Sequence, residues 1–321
     1  MSMPVTLEPV LPEQGAQSIQ GRTQWQQIGR VFRADKPAMA ALVIVLLLAA
    51  AAVCAPLISG LIGHGPNQLF PDQLSSQLGL PTGPSGRFLF GIDQDGRDVL
   101  VRCLYGLRTS LIVSLLSALI ATAFGVTVGL AAGYLGGWLD TLISRGADIF
   151  LALPVVLFAI SISSVCSISA QGCLAGTIQP GIGLVVAILA LFTWPYIARI
   201  VRGQTLVLRQ QEFVNAARGF GAPHLKVMFA EILPNLTAQV IVYTTLIIPS
   251  NILFESALSF LGVGVPQTTP SLGRMIADAT NGNLFTYAWW MMLFPGVLLL
   301  LITFSFNILG DGVRDAIGGG G

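Results

Sequence analysis

Lysine and histidine are nearly absent from this sequence. Lys36 and Lys226 are its lysines, and the 2 histidines are His64 and His224. Neither lysine ends a G-x-x-x-x-G-K-[ST] phosphate-binding loop, so any ATP that drives this chain is bound by another polypeptide. Charge of either sign is scarce as well. Asp, Glu, Lys and Arg make up 10% of the 321 residues, hydrophobic residues 54%, and mean hydropathy is +0.77. That balance excludes a soluble globular domain and indicates an all-α polytopic membrane protein. A net charge of +1 gives no indication of a nucleic-acid partner, and none is expected.

The apolar runs also lack the groups that membrane chemistry uses. Asp148 and Arg145 fall near one end of the third run, and Glu255 toward the outer end of the fifth. An ion-coupled carrier binds and relays its ion on intramembrane acids or histidines, and one peripheral glutamate is a poor relay. No selectivity filter or charge ring suggests a channel. The two histidines are isolated in sequence, so no acid–base pair or metal set for a membrane hydrolase is visible. Asp93, Asp95 and Asp98 resemble a calcium loop, but glycine stands fourth instead of sixth and Leu104 occupies the twelfth position. No metal or cofactor is expected in the chain itself.

Six apolar segments are present. Ala38 to Ile62 is the first, beginning too far along the chain and running too long for a signal-peptide core. The others are Leu111 to Gly133, Leu142 to Val165, Ile182 to Val201, Leu236 to Leu261 and Trp289 to Leu309. Residues 1–36 read as a tail in which Trp25, Ile28 and Phe32 share a face, either an interfacial helix or a linker. Residues 37–63 form the first transmembrane helix, 64–104 an extramembrane segment, 105–310 the core, and 311–321 a second tail. Phe90 to Leu111 reads as an amphipathic surface helix, with Asp93 and Asp98 capping it or pairing with Arg97 and Arg102. Pro154 predicts a kink in the third span. Gly125, Gly129 and Gly133 recur every fourth residue, the spacing that lets two membrane helices approach closely.

An even number of crossings puts both termini on one side. With the N-terminus inside, Arg22, Arg30, Arg33, Lys36, Arg145, Arg199, Arg202, Arg209, Arg218, Lys226 and Arg314 are cytoplasmic. Of the 16 basic residues, Arg87, Arg97, Arg102, Arg108 and Arg274 are then outside. Cys166 and Cys173 lie in an outer loop, either bridged or as two free thiols.

This bias makes the segment 212–235 cytoplasmic. Phe213, Ala216, Ala217 and Phe220 form one helical stripe beside Glu212, Asn215 and Arg218, and Gly219 and Gly221 stop the helix. A second short helix starts at Pro223, carries Leu225, Met228, Phe229 and Ile232, and is expected to break at Pro234. A short helix with an apolar face, held outside the bilayer, needs something to dock on.

Glu212, Ala216, Ala217 and Gly221, followed by Ile232 to Asn235, resemble the EAA loop of permease subunits of bacterial ABC importers. Gly91, Asp93, Gly96, Arg97, Asp98, Arg102, Gly106, Arg108 and Ser110, with Glu255, Leu258 to Val265 and Asn307 to Asp315, narrow the resemblance. They are similar to the C-type permease of dipeptide and oligopeptide importers. Glu231 and Ile92 depart from that pattern.

The resemblance implies a type I importer fold of six transmembrane helices in the bacterial cytoplasmic membrane. It implies a B-type permease as heterodimer partner, two ATP-binding subunits carrying ATP and Mg, and an extracytoplasmic substrate-binding protein. Glu212, Phe213, Ala216, Ala217, Arg218, Phe220 and Gly221 would form the coupling helix that meets an ATPase. The cargo implied is a di- or oligopeptide. Nickel chelates, glutathione or haem are alternatives, and a stand-alone carrier or channel is the runner-up from another class.

Overall fold

The computed structural model describes residues 24–74, 80–168 and 181–318. The chain is a bundle of α-helices, with no strand among the described residues and one isolated bridge, Ile92 to Asp98. Near the N-terminus α1 (Gln24–Ala34) packs on the last helix, and α2 (Lys36–Val53) and α3 (Ala55–Ile62) follow it. Asp35 caps α2 by accepting from Ala38 N at 3.3 Å. The bundle core is α4 (Val99–Leu135), α5 (Gly137–Ala152), α6 (Val155–Ile168), α7 (Ile182–Leu208) and α10 (Leu233–Phe260). Two short elements, α8 (Glu212–Gly219) and α9 (His224–Lys226), join α7 to α10 through a π-turn at Val227–Ile232. The chain closes with α11 (Leu272–Thr280) and α12 (Trp290–Gly318).

Among the described residues five helices are long and apolar enough to cross a membrane, and a sixth span is reached if α5 and α6 count as one. Two expectations need correction, and the kink expected at Pro154 is present. The surface helix predicted over Phe90 to Leu111 does not exist as a separate element. Residues 90–98 form a tight loop, and the rest is the start of the 37-residue α4. That loop is held by Trp290 Nε1, which donates to Ile92 O at 3.0 Å, and by the Phe90 and Phe294 rings, stacked 3.8 Å apart. At Leu153–Pro154 the predicted kink is an 84° break between α5 and α6. Pro234, expected to end a helix, lies inside a longer one. The π-turn before it keeps 224–260 one helix. Cys166 is buried near the end of α6, while Cys173 lies outside the described residues.

The most extensive helix contact joins α4 to α7. Gly125, Gly129 and Gly133 form the touching face: a Cβ at Gly129 would lie 2.5 Å from Ala198 O, and one at Gly133 would lie 2.8 Å from Arg202 O. Against α10, α4 makes polar rungs. Thr122 Oγ1 lies 3.0 Å from Thr244 Oγ1, Asn251 Nδ2 donates to Ser117 Oγ at 2.8 Å, and Ser110 Oγ donates to Glu255 Oε2 at 2.6 Å. The pairs run antiparallel, with α5–α6 and α7 intervening between the two helices.

Candidate functional site

Each end of the bundle carries a polar assembly. At the end where α4 begins, His64 Nδ1 sits 2.6 Å from Asp98 Oδ2, and both side chains are buried. Asp98 also caps α4, its Oδ1 accepting from Leu100 N at 2.9 Å. Asp93 Oδ2 accepts from Arg97 Nε at 2.7 Å and lies 3.4 Å from Arg102 Nε, so Asp98 caps the helix while Asp93 pairs with the arginines. His64, read as isolated, is therefore tied to Asp98 and stacked against Phe88. The spacing of 34 residues hid that partner from the sequence.

The same end holds Glu255, fully buried. Its Oε2 accepts from Ser110, and its Oε1 accepts from Ser259 and Ser271, each at 2.8 Å. Hydroxyl donors from α4, α10 and the approach to α11 thus satisfy a carboxylate that would otherwise be costly in an apolar bundle. Gly273 allows α11 to press against α10, since a Cβ there would meet Ser256 O at 2.0 Å.

At the opposite end, α7 leads into α8. Arg199 Nη2 donates to Asp148 Oδ1 at 2.6 Å, and Arg202 pairs with Asp140, its Nη2 to Oδ2 distance being 2.8 Å. These ion pairs hold α5 to α7. Arg209 Nη1 donates to Gly133 O at 3.0 Å, fixing the exit of α7 to the end of α4.

The eight residues of α8 turn one face inward. Val214 is fully buried in the apolar cluster that contains Val227, Met228 and Ile232, and Ala217 packs on the same cluster. The other stripe faces outward: Phe213 is 38% exposed and Phe220 93%. Glu212 and Ala216 are exposed with them. The helix ends in a Schellman turn, in which Ala222 N donates to Ala217 O at 3.1 Å and Gly221 N to Arg218 O at 2.9 Å. Gly221 takes the left-handed position of that motif, at φ 78°, and a Cβ there would meet nothing within 4 Å. Its requirement is conformational rather than steric.

Arg218, expected as a rim contact, sits over the Tyr134 ring at 4.7 Å and donates from Nε to Tyr134 Oη at 3.3 Å. Tyr134 Oη also lies 3.3 Å from His224 Nδ1. One tyrosine in the last turn of α4 therefore holds both sides of the turn. Tyr134 and Val214 were missed in the sequence. Val214, Ala217 and Arg218 fit a helical period as well as Phe213, Ala216 and Phe220 do, and the bulkier set drew the assignment. Leu225 and Phe229, 69% and 45% exposed, extend the outward apolar surface past the turn.

Residues 125–317 match the family model described as binding-protein-dependent transport system inner membrane component. Residues 23–77 match the N-terminal TM domain of oligopeptide transport permease C. The chain is 38% identical over 299 residues to the oligopeptide transport system permease protein OppC of Salmonella typhimurium, covering 93% of this chain and 92% of that protein. It is 37% identical over 298 residues to the glutathione transport system permease protein GsiD of Shigella flexneri, covering 93% and 91%. A solved structure of the MetNI methionine ABC transporter in inward-facing conformations aligns with a TM-score of 0.49 at 20% identity, over 68% of this chain and 96% of that one.

Proposed function

Because the chain belongs to the family of inner membrane components of binding-protein-dependent transport systems, and is an ABC importer permease of the OppC and GsiD type, we propose that it translocates oligopeptides, driven through α8. The observation that carries the coupling role is the outward stripe of α8. Phe213 and Phe220 are bulky, apolar and solvent-facing on an element whose inner face is anchored by Val214 and Arg218. A rigid helix presenting aromatic anchors is suited to a groove on a partner, here an ATPase subunit that binds ATP and Mg.

In this reading α8 and both termini are cytoplasmic, and the His64–Asp98 end is extracytoplasmic. The second permease of the pair would be a B-type subunit, and an external binding protein would choose the cargo. The 37% identity to a glutathione permease supports a second reading, in which the cargo is glutathione, itself a short peptide. Reconstitution with the cognate subunits and competition of labelled tripeptide uptake by unlabelled glutathione separates the two. Uptake without ATPase subunits would overturn both.

A further inference from the structure

Lipid tolerates apolar side chains and penalises unpaired polar ones, so the polarity of an outward helix face reports what it meets. The outward faces of α2 and α12 are apolar through their middles: Val43, Leu46 and Leu47 on one, Met292, Val297 and Leu300 on the other, each at least 42% exposed. The seam between α7 and α10 differs. On α7, Thr193, Tyr196 and Gln204 fall along one face. On α10, Gln239, Tyr243 and Ser250 stand opposite.

Part of this seam is a cleft of about 280 Å³ between α6, α7 and α10, walled by Phe192 and Phe254 and reached by Tyr196, Ser250 and Asn251. Asn251 is aimed by its neighbours: Nδ2 donates to Ser117 Oγ at 2.8 Å and Oδ1 accepts from Thr193 Oγ1 at 3.4 Å. Further along, the Tyr196 and Tyr243 rings meet edge to face at 6.3 Å. Beyond them Gln239 Oε1 is buried without a hydrogen-bond partner among the described residues. Tyr196 is 49% exposed and Ser250 is also exposed, a placement that hydrocarbon would penalise.

We infer that the α7–α10 seam, from Gln204 and Gln239 to Thr193 and Ser250, lines the translocation path and offers neutral hydrogen-bonding groups to the main-chain amides of a peptide. This rests on the oligopeptide reading. Amide, hydroxyl and phenol groups match peptide N–H and C=O whatever the side chains, and among the described residues no charged one lines the cleft to select one sign of cargo.

The test uses the full importer in phosphatidylethanolamine–phosphatidylglycerol liposomes. Ser250→Cys and Gln204→Cys are compared with Leu300→Cys for modification by a quaternary-ammonium methanethiosulfonate, with labelling of the parent complex subtracted. A thiol in a water-filled path ionises and one in hydrocarbon does not. The seam positions are expected to react about tenfold faster or more, a gap of about 1.4 kcal/mol in barrier. Equal rates at Ser250→Cys, Gln204→Cys and Leu300→Cys overturn the assignment. In a second arm, Ser250→Asp is expected to slow uptake of an anionic labelled tripeptide relative to a cationic one by about tenfold. Equal slowing of both would overturn the stated role in charge tolerance. Failure of the wild-type complex to take up either tripeptide would count against the oligopeptide reading, while the labelling rates still decide whether the seam is a path.

Discussion

Gly221 and Phe220 are adjacent and answer to different physics. Gly221 is needed for a backbone angle, since its φ of 78° costs an L-residue roughly 1–2 kcal/mol. Asparagine tolerates that region and valine does not. In the reconstituted importer, Gly221→Asn is expected to keep most uptake and Gly221→Val to lose it, with both variants inserted and assembled; wild-type uptake by Gly221→Val would reject the assigned turn. Phe220 instead makes almost no contact within the chain, being 93% exposed. Phe220→Ala should therefore change thermal stability by no more than about 0.5 kcal/mol. It should nevertheless lower peptide-stimulated ATP hydrolysis severalfold, and an unchanged rate would remove Phe220 from the coupling surface.

Elements are held by two kinds of contact that respond differently to substitution. The α4–α7 contact is a close approach of backbones. Gly129→Leu must push against Ala198 O, 2.5 Å from the position of the new Cβ. Overpacking of this kind costs about 1–3 kcal/mol or more and should lower the melting temperature in detergent. Gly146→Leu, where a Cβ would meet nothing within 4 Å, should not. The α4–α10 contact is a polar ladder ending at Glu255. Glu255→Gln keeps an acceptor for Ser259 and Ser271 and gains a donor, whereas Glu255→Leu strands three closely bound hydroxyls. Leucine should cost about 1–3 kcal/mol more than glutamine by thermal melts. The glycine spacing was visible in the sequence because a period of four is local. The ladder was not, since Ser110 and Glu255 are 145 residues apart and serine carries no periodic signal. Pro234 was misread for a related reason. Pro154 and Pro234 look alike in sequence, yet one lies at an 84° bend and the other inside a helix that a π-turn carries past it.

For the whole molecule, hydropathy made the apolar segments legible, and α2, α4, α7, α10 and α12 lie where those segments are. Residues 64–74 and 80–98 were opaque, because a compact loop held by Trp290, Phe294 and His64 depends on partners far along the chain. The structure also brings the start of α2 beside the end of α12: a Cβ at Gly312 would stand 2.4 Å from Ala38 Cβ. A reporter enzyme fused after Gly318 and one inserted at Ser85 should accordingly report opposite sides of the membrane. Matching signals from the two fusions would refute the proposed topology.

The uninterrupted helix from His224 to Phe260 has a mechanical meaning. At 1.5 Å per residue its 37 residues reach about 55 Å, so the chain beside the Schellman turn and the chain beside Glu255 are two ends of one lever. A tilt of about 10° at the α8 end, with no bending, sweeps the far end through roughly 10 Å. Of the serine hydroxyls bound to Glu255, those of Ser110 and Ser271 lie outside this helix, and such a sweep must either carry them along or release them.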